Sequence, residues 1–220
     1  KGRKSEFAKH AINFETPQQF FLELLLAEII TNIAAQVSKY SYHTKGYTKI
    51  INEENSSLNC LFNSWITTIN KNGILRMYTL NYDRLFKTIL ENGKNSMSIF
   101  EGFDSDRTIE YYSSIVPNIP RILTDTQSNI CYNFHGSAFW EVESRNDGDL
   151  PNPSFYLTEA PYFMSNSSEL PIWQSEKGKT ILITNIITGY QKTQRGILAP
   201  FRQMASAFDR DCCFADFIYI

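Results

Sequence analysis

The sequence predicts an α/β fold: a mostly parallel sheet with flanking helices and an N-terminal helical layer. Three observations carry this. Apolar residues in the first third recur at three- and four-residue steps, the periodicity of helices. From Ile74 onward, short β-branched and aromatic runs alternate with short helical patterns, the order that builds a parallel sheet with helices on its faces. The 220 residues, 42% of them hydrophobic, suffice for one large domain. The chain therefore reads as a single domain over residues 1–220, with 1–73 a mainly helical layer and 74–220 a strand-rich portion carrying a polar insertion at 143–170.

The first helix is announced by Thr16-Pro17, a capping hydroxyl followed by proline in the first turn. Through "QQFFLELLLAEIITNIAAQVSKY", Phe21, Leu22, Leu25, Ile29, Ile33 and Val37 form an apolar stripe. After the polar "INEENSS", a second helix places Leu58, Leu61, Phe62, Trp65, Ile66 and Ile69 on one face, with Gly73 expected to end it in a left-handed turn. Both stripes are expected to be core. "ILRMYTL" is a strand and "RLFKTILENG" a short helix closed by Gly93. "SMSIFEGF" reads as a strand, and the prolines of "SSIVPNIPRILTD" argue for irregular structure. "NICYNFHG" is a strand; the Asn/Ser/Pro-rich insertion is an extended loop or a small hairpin. "TILITN" is a strand, "APFRQMASAFDR" a helix with Pro200 in its first turn, and "FADFIYI" a final strand.

Composition narrows the function classes. The formal net charge is −2 with 20% charged residues, unlike a nucleic-acid binder with a strongly basic face. The four cysteines, Cys60, Cys131, Cys212 and Cys213, include no C-x-x-C pair, so no metal site is expected. No apolar run reaches membrane-spanning length and no signal peptide is visible, which points to a reduced, cytoplasmic setting. The opening "KGRKSEF" lacks Met and the closing "CCFADFIYI" stops inside a strand-like pattern; both ends read as the interior of a larger protein.

Chemistry concentrates at two strand ends. In open α/β sheets, ligands bind beyond the carboxyl ends of the strands. "YTL" ends in Asn81-Tyr82-Asp83, and "NICYNF" ends in His135-Gly136-Ser137. If both strands are parallel neighbours, the two clusters share a rim. Each also has a plainer explanation. Asn81 or Asp83 can cap the helix that follows, His135 can be a hydrogen-bonded strand-end histidine, and Gly136 can permit a turn. Taken one at a time, the plainer explanations are favoured.

Together, "TLNYD" and, roughly fifty residues later, "FHGS" resemble the sirtuin-like family of proteins that consume nicotinamide dinucleotide, in which one strand ends in T-x-N-x-D and a later one in H-G. Thr79, Asn81 and Asp83 match the first motif, and His135 and Gly136 the second. Tyr82, Ser137, "ITGYQKT" and "PFRQMASAF…FADFIYI" are similar to the prokaryotic branch tied to antiphage defence. The resemblance spans Ile74 to the end and implies a Rossmann-like sheet that hydrolyses NAD to nicotinamide and ADP-ribose. It implies that Asn81 holds the ribose and the attacking water, and that His135 is the general base. Asp83 would fix the nicotinamide or the loop, Thr79 would bond nearby backbone, and Gly136 would line the NAD site. It also implies regulation through a homo-oligomer or a partner defence protein. The family's glycine-rich dinucleotide loop has no counterpart here, and neither do the zinc-binding cysteine pairs of deacylating sirtuins. A non-catalytic NAD or ADP-ribose sensor and an NAD-dependent deacylase stand as the alternatives.

Overall fold

The structure, a computed structural model, describes residues 17–37, 56–92, 95–105, 115–145, 152–158, 172–174, 180–182, 185–187 and 192–220. In chain order the elements are α1 (Pro17–Val37), α2 (Ser56–Asn70), β1 (Arg76–Thr79), α3 (Leu85–Asn92), β2 (Phe103–Ser105), β3 (Ile115–Pro117), α4 (Ile119–Thr124), β4 (Ile130–Asn133), β5 (Trp140–Arg145), β6 (Asn152–Leu157), β7 (Ile172–Gln174), β8 (Thr180–Leu182), α5 (Lys192–Gly196) and α6 (Phe201–Phe214). Helix and strand are mixed, and the strands form pairs. β1 and β4 run parallel; β2–β3, β5–β6 and β7–β8 are antiparallel. A further parallel bridge joins Phe100 to Ile130, so β4 has neighbours on both sides. Among the described residues the parallel pairing ends there. No described helix is long and apolar enough to cross a membrane.

Strand alternation explains how the β1–β4 pair is covered. Successive side chains point to opposite faces. Ile130 and Tyr132 enter a core with Ile122 of α4 and Phe201, Met204 and Ala207 of α6, and Tyr78 packs against it. Cys131 enters a second core with Ile66 of α2 and Leu90 of α3, and Met77 packs there. Helices thus lie on both faces, the arrangement a parallel pair requires. The larger core is aromatic: Trp140, fully buried, has its ring centroid 4.9 Å from that of Phe103 and 5.6 Å from that of Phe201. Burying one such side chain stabilises the fold by roughly 1.5–3 kcal/mol. Polar bonds tie β1 to α6. Arg76 Nε donates to Asp211 at 2.6 Å and the Tyr78 hydroxyl donates to the same carboxylate at 2.5 Å. The other Arg76 nitrogens donate to the carbonyls of Ser128 and Asp125.

Several elements differ from the sequence expectation. Of the α1 stripe, Phe21, Leu22, Leu25 and Ile29 are exposed and Ile33 is partly buried, so these side chains are not core. The α2 stripe divides. Phe62, Ile66 and Ile69 join the second core, whereas Leu58, Leu61 and Trp65 stay exposed, Trp65 meeting the Tyr219 ring edge-on. A stripe spanning both three- and four-residue steps is wider than the contact one sheet face offers. Gly73 is not left-handed; among the described residues the positive-φ glycines are Gly102 and Gly136. Gly102 also explains why "SMSIFEGF" is not one strand. Its φ of +97° breaks the run, leaving the Phe100 bridge and β2. The proline-containing segment is regular after all, because Pro117 ends the short strand β3 and Pro120 sits in the first turn of α4. The Asn118 side chain caps that helix. Of the insertion's described residues, 143–145 end β5 and 152–157 form β6, which pairs with it antiparallel. "FADFIYI" is not a strand: α6 runs through Phe214, and residues 215–220 have no ladder partner among the described residues. Gly93 and Thr16 lie outside the described residues. The four cysteines are free.

Candidate active site

The parallel register is the starting point. Thr79 pairs with Asn133, and the Phe134 N–H donates to the Thr79 carbonyl at 2.9 Å. Asn81 and His135 each stand two residues beyond that pair, on chains running the same way. The ladder therefore delivers Thr79, Asn81, Asp83, His135 and Gly136 to one rim.

On the β1 side, local bonds assign different tasks to the two polar residues. Asp83 Oδ1 accepts from the Leu85 N–H at 2.9 Å, so Asp83 is the residue that caps the start of α3. Burial pushes its carboxyl above the ordinary value, and the Leu85 bond partly offsets this. Asn81 does no capping. Its N–H donates to Thr79 Oγ1 at 3.0 Å, and its side chain is exposed at the rim. Behind the loop, Arg84 holds buried Glu101 through both guanidinium branches, with Nε–Oε2 at 2.8 Å, and its guanidinium stacks 5.4 Å from the centre of the Phe139 ring. Lys87 adds a 3.3 Å ion pair to Glu101.

On the β4 side, Gly136 adopts φ +82° and its N–H donates back to the Asn133 carbonyl at 3.1 Å. The Tyr82 carbonyl accepts from Ser137 Oγ at 3.0 Å and from the Ala138 N–H at 2.8 Å. Asn133, buried at the end of β4, donates through Nδ2 to the carbonyls of Asn81 at 2.8 Å and Asp83 at 3.0 Å. His135 is half-buried. Burial, and secondarily the Lys192 ammonium, hold its imidazole below the ordinary value and favour the neutral form.

A third segment closes the cluster. The Ser137 N–H donates to the Asn185 carbonyl at 3.1 Å, the Ile187 N–H donates to the His135 carbonyl at 2.7 Å, and Gly136 bridges Ile186. The Tyr82 hydroxyl donates to the Ile187 carbonyl at 3.3 Å. Asn185 is fully buried, with no hydrogen-bond partner for its amide among the described residues. Sequence reasoning missed Asn133, Asn185 and the Arg84–Glu101 pair. Asn133 carried a signal: an amide set between Tyr132 and Phe134 in a buried segment needs a partner.

The rim thus presents an imidazole biased toward its neutral form and an exposed amide on a braced backbone. An amide both donates and accepts, and a neutral imidazole can take a proton. Among the described residues no group of His, Cys, Asp or Glu is placed to hold a metal ion. Neither a known family model nor a curated protein matches the chain.

Proposed function

We propose that this protein hydrolyses NAD to nicotinamide and ADP-ribose on a Rossmann-like framework, and that it serves antiphage defence. The observation that carries the reaction is the shared rim: Asn81 and His135 lie at equal distance past one parallel register pair. The resemblance of Thr79–Asp83 and His135–Gly136 to the sirtuin-like motifs supplies the substrate.

The chemistry needs little. The bond from the anomeric carbon to the pyridinium nitrogen breaks, its electron pair returns to that nitrogen, and neutral nicotinamide leaves without a proton. The transition state is oxocarbenium-like, as in glycosidases, but no acid is required. Asn81 orients the ribose and the attacking water through its amide. Water adds to the anomeric carbon, and its proton passes to the imidazole of His135, a general-base role typically worth ~10²–10⁴-fold in rate. Asp83 and Gly136 shape the rim, Asp83 by capping α3 and Gly136 by turning the chain beside His135. The defence setting and assembly as a homo-oligomer or with a partner defence protein rest on the resemblance alone.

The deciding experiment is nicotinamide release from NAD by the full-length protein. Release abolished by Asn81→Ala and by His135→Ala supports the reading. NAD binding without release would favour a sensor, and turnover seen only with an acyl-peptide would favour a deacylase.

A further inference from the structure

We propose that Asn133 is a positioning residue of this rim: its amide clamps the main chain on both sides of Tyr82 and so sets the direction in which the Asn81 side chain leaves the sheet. The catalytic consequence rests on the reading above; the clamp itself rests on geometry alone.

A primary amide carries two N–H donors. Here Nδ2 of Asn133 reaches two carbonyls, those of Asn81 at 2.8 Å and Asp83 at 3.0 Å. The carbonyl between them, that of Tyr82, is held by Ser137 Oγ and the Ala138 N–H. Three consecutive carbonyls of the Asn-Tyr-Asp segment are therefore gripped by the end of β4 and the turn after it, the stretch 133–138 that carries His135. The Asn81 N–H is also committed, to Thr79 Oγ1. The backbone of Asn81 is fixed at both its donor and its acceptor, while its side chain stays exposed. That is the arrangement a reactive group requires: a free functional end on an over-determined main chain. Asn133 is buried and precedes His135 by two residues, so one short stretch both supplies the imidazole and orients the amide.

Residue type is decisive. Aspartate has the same shape but no N–H, and its oxygen would face two carbonyl oxygens. Asn133→Asp therefore removes both donors and adds repulsion without creating a cavity. Misplacing a substrate-positioning group by about 1 Å can cost ~10²-fold in rate.

The test uses the full-length protein with Asn133→Asp, Asn133→Ser and a control, Asn118→Ala. The control removes the α4 cap and a bond to Asp104 and leaves the bonds to the Asn81–Asp83 carbonyls in place. Nicotinamide release, the thermal midpoint and amide hydrogen exchange are measured for each. In both Asn133 variants kcat is expected to fall ~10²-fold with KM for NAD changing far less, and exchange at residues 81–84 to accelerate relative to β4. The control should keep kcat at a comparable loss of thermal midpoint; should Asn133→Asp fail to fold, Asn133→Ser, which adds no charge, carries the comparison. Near-parental kcat in an Asn133 variant, or an equal loss in the control, overturns the proposal. If the parent protein releases no nicotinamide, the functional reading fails. Exchange alone then decides the clamp: acceleration at 81–84 upholds it and parental exchange overturns it.

Discussion

The main-chain carbonyl oxygen of Asn185 lies 2.0 Å from where a Cβ on Gly136 would stand. Gly136 also holds φ +82°, a region that L side chains enter at a cost of about 1–2 kcal/mol. The glycine is therefore needed twice: for the turn after His135 and for the close approach of the Asn185–Ile187 segment.

Gly136→Ala is expected to destabilise the protein by ~2 kcal/mol or more, since backbone on both sides must shift. Gly73→Ala is its contrast. Nothing lies within 4 Å of a Cβ there and its φ is ordinary, so that change should be neutral or stabilising by up to ~1 kcal/mol. Denaturant midpoints of the two variants check both; equal effects would contradict the geometry.

Asn81→Ala and His135→Ala should each remove nicotinamide release, the histidine change by ~10²–10⁴-fold. The thermal midpoint should change little for Asn81→Ala, because that side chain is exposed and its main-chain bonds remain. A variant that loses activity only by unfolding would defeat the assignment.

The pH–rate profile carries its own sign. Burial, then Lys192, hold the His135 imidazole below its ordinary value. The base stays neutral until the pH falls below about 6.5, and activity should be lost only there. Lys192→Ala removes a positive charge, makes the imidazole easier to protonate, and should move the acid limb to higher pH. A limb that stays fixed or moves to lower pH would show that another group governs it.

Acid should weaken the β1–α6 junction. Burial raises the Asp211 carboxyl, but bonds from Tyr78, Arg76 and Arg210 outweigh this and hold it low. A depressed carboxyl stabilises the fold fully above its unfolded value near 3.9, and that contribution is lost as pH falls through the lower folded value. Asp211→Asn should therefore cost ~1–3 kcal/mol at neutral pH, with the gap to the parent narrowing below about pH 4. Thermal melts across that range test it; a gap independent of pH would overturn it.

The helices α1, α2, α3 and α6, the strands β1 and β4, and the two polar strand ends are legible in the residues alone, because periodicity and turn residues are local properties. The sequence left open whether Asn81 or Asp83 caps α3, since the two differ only in where one backbone N–H lies; tertiary structure gave the cap to Asp83. It also overstated the α1 stripe and the last strand. Burial and strand pairing depend on what a segment meets, and among the described residues no strand pairs with the segment holding Phe217 and Tyr219. Only the fold could show that the Asn133 amide reaches across to the Asn81 and Asp83 carbonyls, or that the Asn185 segment brackets Gly136. Those contacts join residues about fifty positions apart, and the Asn133 bonds exist only once the parallel register of β1 on β4 is set.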